Sequence, residues 1–250
     1  MADIKVRWVE VTGSTNADMA LEKETLDDMS VIAAKFQTAG RGQRGNQWES
    51  RSGENLTFSI LFKPNDLMLH EQFCISQVAA LGIIDFLKIE GIEAKVKWPN
   101  DIYVGDKKIC GILIENTSSD DKLSASIVGI GFNLNQKEFD SDAPNPVSLA
   151  MLTGKHYEVN ETLVRLIQCI MKLYLEISRG EKRFYLRTSL DGRFLETLYR
   201  RGEWHFFEEM PQGRRIRARI LGTDNSACLQ LEHDNGCVKS YAFREIKYIL

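Results

Sequence analysis

Val31-Ile-Ala-Ala-Lys-Phe36 leads through Gly40-Arg-Gly-Gln-Arg-Gly45 and a polar run into Leu56-Thr-Phe-Ser-Ile-Leu-Phe62. The glycines reproduce the G-x-G-x-x-G spacing of a dinucleotide-binding turn, which needs a strand before it, a helix after it and an acidic residue about 20 positions on. The strand is there and the helix is not. Asn46-Gln-Trp-Glu-Ser-Arg-Ser-Gly-Glu-Asn55 is a polar loop, and a second apolar strand follows it. The stretch is therefore a basic, glycine-rich loop between two strands. Its backbone N–H groups, with Arg41 and Arg44, suit an anionic ligand held without a helix dipole.

Upstream, residues 5–11 read as a strand and Thr12-Gly-Ser-Thr-Asn16 leads into a helical pattern over 17–24. Thr15 and Asp18 have capping-box spacing, which puts Ser14-Thr15-Asn16 at a helix start where backbone N–H groups lack partners. Downstream, Ile75, Val78, Ala79, Gly82 and Phe86 mark one buried face of a helix ending near Glu90-Gly91. Four strand-like segments follow, at 94–98, 102–104, 107–115 and 124–133, with a hairpin turn at Val104-Gly-Asp-Lys107 and a polar connection over 116–122. A loop with Pro144 and Pro146 precedes a helix over 161–177. A further helical stretch runs to about residue 200, with a break expected at Asp191-Gly192. From Glu203 onward there are only short strands, at 204–207, 215–221, 228–231 and 238–243, with a tight-turn signal at His233-Asp-Asn-Gly236. This order predicts an α+β fold: a larger domain with a mixed sheet and helices over residues 1–200, and a small SH3-like β-barrel over 201–250.

The 250 residues are 43% hydrophobic and 27% charged, enough to bury a full core. A formal charge of -3 argues against a general nucleic-acid binder, which needs a basic excess. The five cysteines, at 74, 110, 169, 228 and 237, are odd in number and include no Cys-x-x-Cys, so neither a disulfide framework nor a zinc site is expected. The N-terminus alternates like a strand instead of carrying a signal-peptide apolar core, and no apolar run is expected to span a membrane. These features predict a soluble, cytoplasmic protein.

Two further clusters carry chemistry-bearing residues. In Lys97-Trp-Pro-Asn-Asp101, Pro99 fixes the chain at a strand end and presents the Asn100 amide and the Asp101 carboxylate. Lys107 and Lys108 alternate across the hairpin strand, so one of them points inward and needs an anionic partner there. Gly111 lets a ligand or another backbone approach closely. Gly129-Ile-Gly131-Phe-Asn133 closes a strand with glycines and then an amide able to read a nucleobase or ribose. Singly, each has a plain structural explanation: Ser14-Thr15-Asn16 as a cap, Lys108 as a solvated lysine, Trp98 as a core residue. Their joint occurrence outweighs those explanations. The histidines at 70, 156, 205 and 233 show no ligand or triad spacing.

Taken in order and spacing, Ser14-Thr-Asn16, Gly40-Arg-Gly-Gln-Arg-Gly45 with Trp48, Lys97-Trp-Pro-Asn-Asp101, Lys108-x-x-Gly111-Ile-Leu-x-Glu115 and Gly129-x-Gly-x-Asn133 closely resemble the biotin protein ligase family. The resemblance covers about residues 5 to 250, the last part by strand pattern and length only. It implies a sheet and helices of the class II synthetase/biotin-lipoate ligase type. It also implies a two-step reaction with biotin, ATP and Mg²⁺ and no tightly bound prosthetic group. Biotin is activated as biotinyl-5′-AMP and then passed to a lysine of a biotin carboxyl carrier protein domain, the acceptor in the acetyl-CoA carboxylase ligases of the family, with the carboxylase served by this chain left open.

By motif position, Ser14, Thr15, Asn16 and Gln37 would line the biotin pocket, and Gly40, Arg41, Gly42 and Gln43 would follow the valeryl chain and carboxylate, with Gly111 beside them. Lys108 would bridge that carboxylate and the α-phosphate as the leading catalytic residue, with Arg41 and Asp101. Arg44, Trp48, Lys97, Asn100, Gly129, Gly131 and Asn133 would serve the nucleotide, and Asp101 is the candidate magnesium ligand. The glycine loop would order over the adenylate. Gln43 stands where the family usually has arginine and supplies hydrogen bonds without charge. The form resembled is the one without an N-terminal DNA-binding domain, so no DNA partner is expected; a homodimer through a sheet edge is left open. The competing expectations are a lipoate or octanoyl ligase-type acyltransferase and a non-catalytic biotin or nucleotide sensor.

Overall fold

The computed structural model describes residues 4–42, 47–64, 66–140, 145–178, 183–224 and 226–249, with backbone alone for 183–187. A seven-stranded mixed sheet is built from β1 (Val6–Thr12), β2 (Val31–Gln37), β3 (Leu56–Phe62), β4 (Lys95–Lys97), β5 (Asp101–Val104), β6 (Lys107–Ser119) and β7 (Lys122–Phe132). Its order is β1-β2-β3-β7-β6-β5-β4, parallel only between β1 and β2. A second, antiparallel sheet holds β8 (Trp204–Glu209), β9 (Arg214–Thr223), β10 (Leu229–His233), β11 (Val238–Tyr241) and β12 (Ile246–Tyr248) in the order β11-β10-β9-β8-β12.

Central β3 is buried along its whole length, yet its two faces differ in chemistry. Leu56, Phe58, Ile60 and Phe62 point into the main core, while Thr57, Ser59 and Leu61 point to the other side, as strand alternation requires. On the core side lie α2 (Phe73–Ile89), α4 (Val159–Ser178) and α5 (Arg183–Thr197). On the other side α1 (Thr15–Glu22) covers only part of the sheet, through Met19 against Ile32, Leu61, Ala125 and Ile127. The rest of that face is left open for a site. One hydrophobic cluster continues from α2 and α4 into Phe207, Ile220, Leu231 and Tyr248 of the second sheet, so the two sheets share a core.

Several sequence expectations change. The first helix starts at Thr15, two residues earlier than read, with extended Ser14 as its N-cap and no side-chain cap bond. The polar run 116–119 continues β6, and the turn is the two-residue Asp120-Asp121, both at positive φ. No break occurs at Gly192, which lies inside α5. The short helix α3 (Leu149–Thr153) and strand β12 were not anticipated. By length and composition, Leu69–Ile89 would pass for a membrane span, contrary to expectation, but 67% of that apolar window is buried in this core.

Gly82 is where α2 meets α4: a Cβ there would lie 2.6 Å from Ile170 Cα, backbone that cannot step aside alone. Gly82→Ala is therefore expected to destabilise the fold by about 1 to 3 kcal/mol despite the better helix propensity of alanine. A urea midpoint at or above that of the unchanged protein would contradict this packing.

Candidate active site

The open face of the sheet carries three glycines where side chains would otherwise stand. Gly111 and Gly131 are register partners on β6 and β7, and Gly129 is one alternation along. Each makes room for a particular group. A Cβ on Gly129 would lie 2.2 Å from Asn16 Oδ1, and one on Gly131 would lie 2.2 Å from the Trp48 ring. A Cβ on Gly111 would lie 3.0 Å from Trp48 and 3.2 Å from Lys108 Cε. The result is a cavity of about 360 Å³ between the sheet, the start of α1, the glycine loop and the second sheet.

One end of the cavity is a hydrogen-bonded amide and hydroxyl cluster. The Thr15 backbone N–H donates to Gln37 Oε1 at 2.8 Å, and Thr15 Oγ1 lies 3.1 Å from the same oxygen. Asn16 Nδ2 donates to Glu115 Oε2 at 2.7 Å. Ser59 Oγ sits 2.7 Å from Thr15 Oγ1 and 2.6 Å from Asn16 Oδ1, and with one proton it donates to one of them at a time. The order in this buried cluster fixes the rotamers of Thr15 and Asn16 before a ligand arrives. Ser59 and Glu115 carried no assigned role in the sequence; the polar Thr57 and Ser59 within an otherwise apolar buried strand were the available signal.

The middle holds Lys108. Strand alternation alone would put Lys108 and Gly111 on opposite faces, since they are three apart. A β-bulge between β5 and β6 shifts the register from Ile102↔Cys110 to Tyr103↔Lys108 and buries Ile109. The extra residue turns Lys108 onto the cavity face. Its Nζ pairs with Asp101 Oδ1 at 2.8 Å and lies 5.7 Å from the Trp48 ring centroid, while Lys107 is exposed. Trp48 Nε1 is buried with no hydrogen-bond partner among the described residues, a donor available to a ligand.

The other end is walled by Phe243, Ile246, Lys247 and Tyr248 of the second sheet. Trp98 Nε1 donates to the Ala227 carbonyl at 3.0 Å, and Trp98 meets Phe243 edge-on, so the Trp98-Pro99 corner ties the two sheets together at the cavity. Lys97 Nζ bonds Tyr103 Oη at 3.1 Å and lies 4.7 and 5.2 Å from the ring centroids of Tyr103 and Tyr248. Burial pushes its ammonium pKa down, only partly offset by Asp101. Burial likewise pushes the Tyr103 and Cys110 protons toward retention, so neither supplies an anion near neutrality.

The structure thus gathers Ser14, Thr15, Asn16, Gln37, Arg41, Gly42, Trp48, Lys97, Asn100, Asp101, Lys108, Gly111, Gly129 and Gly131 around one cavity. Arg41 is half exposed and 3.7 Å from Glu115. Gly40 is not in the wall; it makes room for the backbone of Trp48, whose N–H donates to its carbonyl. Two assigned residues spend their donors on the protein itself. The Asn100 amide is held on the Ile112 carbonyl, and the buried Asn133 amide donates to Val147 O and Lys108 O. Gln43 and Arg44 lie outside the described residues.

Residues 8–133, which contain every one of these clusters, match the Biotin/lipoate A/B protein ligase family. The chain belongs to that family. It is 27% identical over 220 residues to the bifunctional ligase/repressor BirA of Bacillus subtilis, a match covering 85% of this chain and 64% of BirA. It is 34% identical over 159 residues to the biotin–[acetyl-CoA-carboxylase] ligase of Paracoccus denitrificans, covering 61% and 65%. The fold is that of solved biotin protein ligases. The Aquifex aeolicus protein, in complex with biotin and ATP, superposes with a TM-score of 0.76 at 24% identity over 98% of this chain and 99% of that one. The Leishmania major protein, in complex with biotinyl-5-AMP, gives 0.65 at 20% over 96% and 100%.

Two outcomes follow for this family chain. Gly131→Ala should drive Trp48 off the cavity floor and lower stability by about 1 to 3 kcal/mol, on the cost of overpacking; an unchanged urea midpoint with unchanged tryptophan fluorescence would contradict the assigned fit. Lys97 has a folded pKa below its ordinary 10.5, so between those two values the unfolded chain binds more protons and stability gains with rising pH. Lys97→Met abolishes that gain, so its stability relative to the unchanged protein should be highest near pH 7 and should fall toward pH 10. A pH-independent difference in urea midpoints would refute the burial effect.

Proposed function

We propose that the chain is an ATP-dependent ligase that activates biotin as biotinyl-5′-AMP and transfers it to a lysine of a biotin carboxyl carrier domain. The observation that carries this is Lys108 Nζ, held 2.8 Å from Asp101 and 5.7 Å from the Trp48 ring centroid in the same cavity that the amide and hydroxyl cluster lines. A ureido ring offers one carbonyl acceptor and two N–H donors, which suits the Ser14, Thr15, Asn16 and Gln37 end; an aliphatic acyl chain would make no use of those polar groups. Trp48 presents a ring and a free indole N–H to the same cavity, as a purine would require.

In the first step a biotin carboxylate oxygen attacks the α-phosphorus, the bond to the β-phosphate oxygen breaks and pyrophosphate leaves. Two anions are brought together, so the gain comes from positive charge already in place. Lys108 leaves Asp101 to meet the carboxylate and α-phosphate. In the second step the carrier amine attacks the acyl carbon and AMP leaves with the bridging oxygen. Asp101, freed of its lysine, is the nearest carboxylate to take the amine proton.

Mg²⁺ enters with ATP as part of the co-substrate. Asp101 is the sole carboxylate among the described residues of the wall, which fits an ion that keeps several waters and needs one or two carboxylates plus phosphates. The ion would neutralise the polyphosphate. A cytoplasmic setting, where ATP is supplied, goes with this function.

Pyrophosphate release should depend on biotin, with lipoate and octanoate giving no comparable rate. Lys108→Ala should lose about 2 to 4 kcal/mol of transition-state stabilisation, a fall of about 30- to 1,000-fold in adenylation. Equal release with lipoate would favour the lipoate side of the family, and an unchanged rate in Lys108→Ala would remove the lysine from the mechanism.

A further inference from the structure

The second sheet has an outward face that the cavity does not use. Cross-strand partners on β8 and β9 pair Trp204 with Arg219, Phe206 with Arg217 and Glu208 with Arg215, and β12 adds Lys247 beside Glu208. Partners in register point to the same side, opposite to buried Phe207, Ile216, Ala218 and Ile220. The alternating run Arg215-Ile-Arg217-Ala-Arg219 therefore forms a ladder of guanidiniums, crossed by two aromatic rings that are 38% and 43% exposed. Arg215 lies 3.9 Å from the Phe206 ring centroid, and Arg217 and Arg219 lie 5.5 and 5.3 Å from that of Trp204.

Four cations stand here against Glu208 and Glu232, with exposed Asp234 just past the end of β10 beside Arg217, in a chain of formal charge -3. Arg219 is paired with Glu232 at 2.7 Å and Lys247 with Glu208 at 3.7 Å. Arg215 and Arg217 have no carboxylate within 4.0 Å among the described residues. The face is also continuous with the site, because Lys247 belongs both to its edge and to the cavity wall.

We propose that this arginine and aromatic face is the docking surface for the acceptor protein, meeting carboxylates that flank the acceptor lysine and guiding that lysine to the cavity mouth. This rests on the ligase function proposed above. Rings hold the guanidinium planes in place, and their N–H forks match carboxylates in bidentate fashion. Single-stranded nucleic acid would need open ring faces for base stacking, and Arg215, 3.9 Å from the Phe206 centroid, already occupies one face of that ring. An acidic protein surface is therefore the favoured occupant, and the attraction would act mainly on encounter.

The double variant Arg215→Glu/Arg217→Glu tests this in the full chain. Biotin-dependent pyrophosphate release in the absence of acceptor should be unchanged, which also shows that the variant is folded. The KM for a biotin carboxyl carrier domain, and its Kd by anisotropy of a labelled sample, should both rise about tenfold or more. Their dependence on salt should flatten, and Arg215→Lys/Arg217→Lys should recover only part of the affinity, since the ammonium keeps the charge but not the bidentate fork. Unchanged carrier Kd and KM would overturn the proposal. So would binding of a dT20 oligonucleotide, or self-association in sedimentation, that is lost in the double variant while carrier affinity stays the same. Absence of pyrophosphate release from the unchanged protein would sink the ligase function instead, and the anisotropy arm would still decide the surface.

Discussion

The glycine stripe on one face of the central sheet is the constraint on which the rest of the site depends. Gly111, Gly129 and Gly131 strip side chains from β6 and β7 where Asn16, Trp48 and Lys108 must lie. Glycine weakens a strand interior because it loses more entropy and packs nothing. That loss falls on strands paired on both sides and backed by α2 and α4, where Ile112, Val128, Ile130 and Phe132 face the core. The sheet can thus be bare on one face because it is heavily packed on the other.

The same division explains Lys108. A lysine brought toward the centre of a sheet needs a reason to be there and an anion to meet it. The bulge around Ile109 supplies the first by reversing the alternation, and Asp101 at the end of β5 supplies the second. Because the pair is partly buried, the lysine is held in a defined position, yet the contact is a single one that a more highly charged anion can displace. The arrangement keeps a cation in place where negative charge entering the cavity would need one.

Much of the site was legible in the sequence, because its residues sit in tight clusters beside strands whose apolar character is plain. Leu56–Phe62 was read with its observed bounds, and the inward choice between Lys107 and Lys108 was posed correctly. What was hidden depends on contacts between distant segments. The helix is capped at Ser14, and the Thr15 hydroxyl is committed to Gln37 on β2 and Ser59 on β3. The run 116–119 looked like a loop because its side chains are polar, whereas its backbone pairs with β7 out to a two-residue turn. The Asn133 amide closes the chain onto Val147 and Lys108, contacts that its motif spacing does not announce. Strand β12 is three residues long and exists only because β8 pairs with it.

That short strand matters more than its length suggests. Ile246, Lys247 and Tyr248 wall the cavity, and Trp98 reaches from the sheet corner to Ala227 on the far side. Tyr199 stacks between Tyr103 and Tyr248, and burial with the Asp106 carboxylate raises its pKa to about 12, so these rings remain neutral packing groups. The segment 198–202 is itself bridged to both sheets, through Val96 and Ile220. With a shared core and a shared cavity wall, the second sheet cannot swing away without opening the Lys97 end of the site. Whatever enters there meets both sheets at once, and binding energy gained from either one holds the wall closed against water.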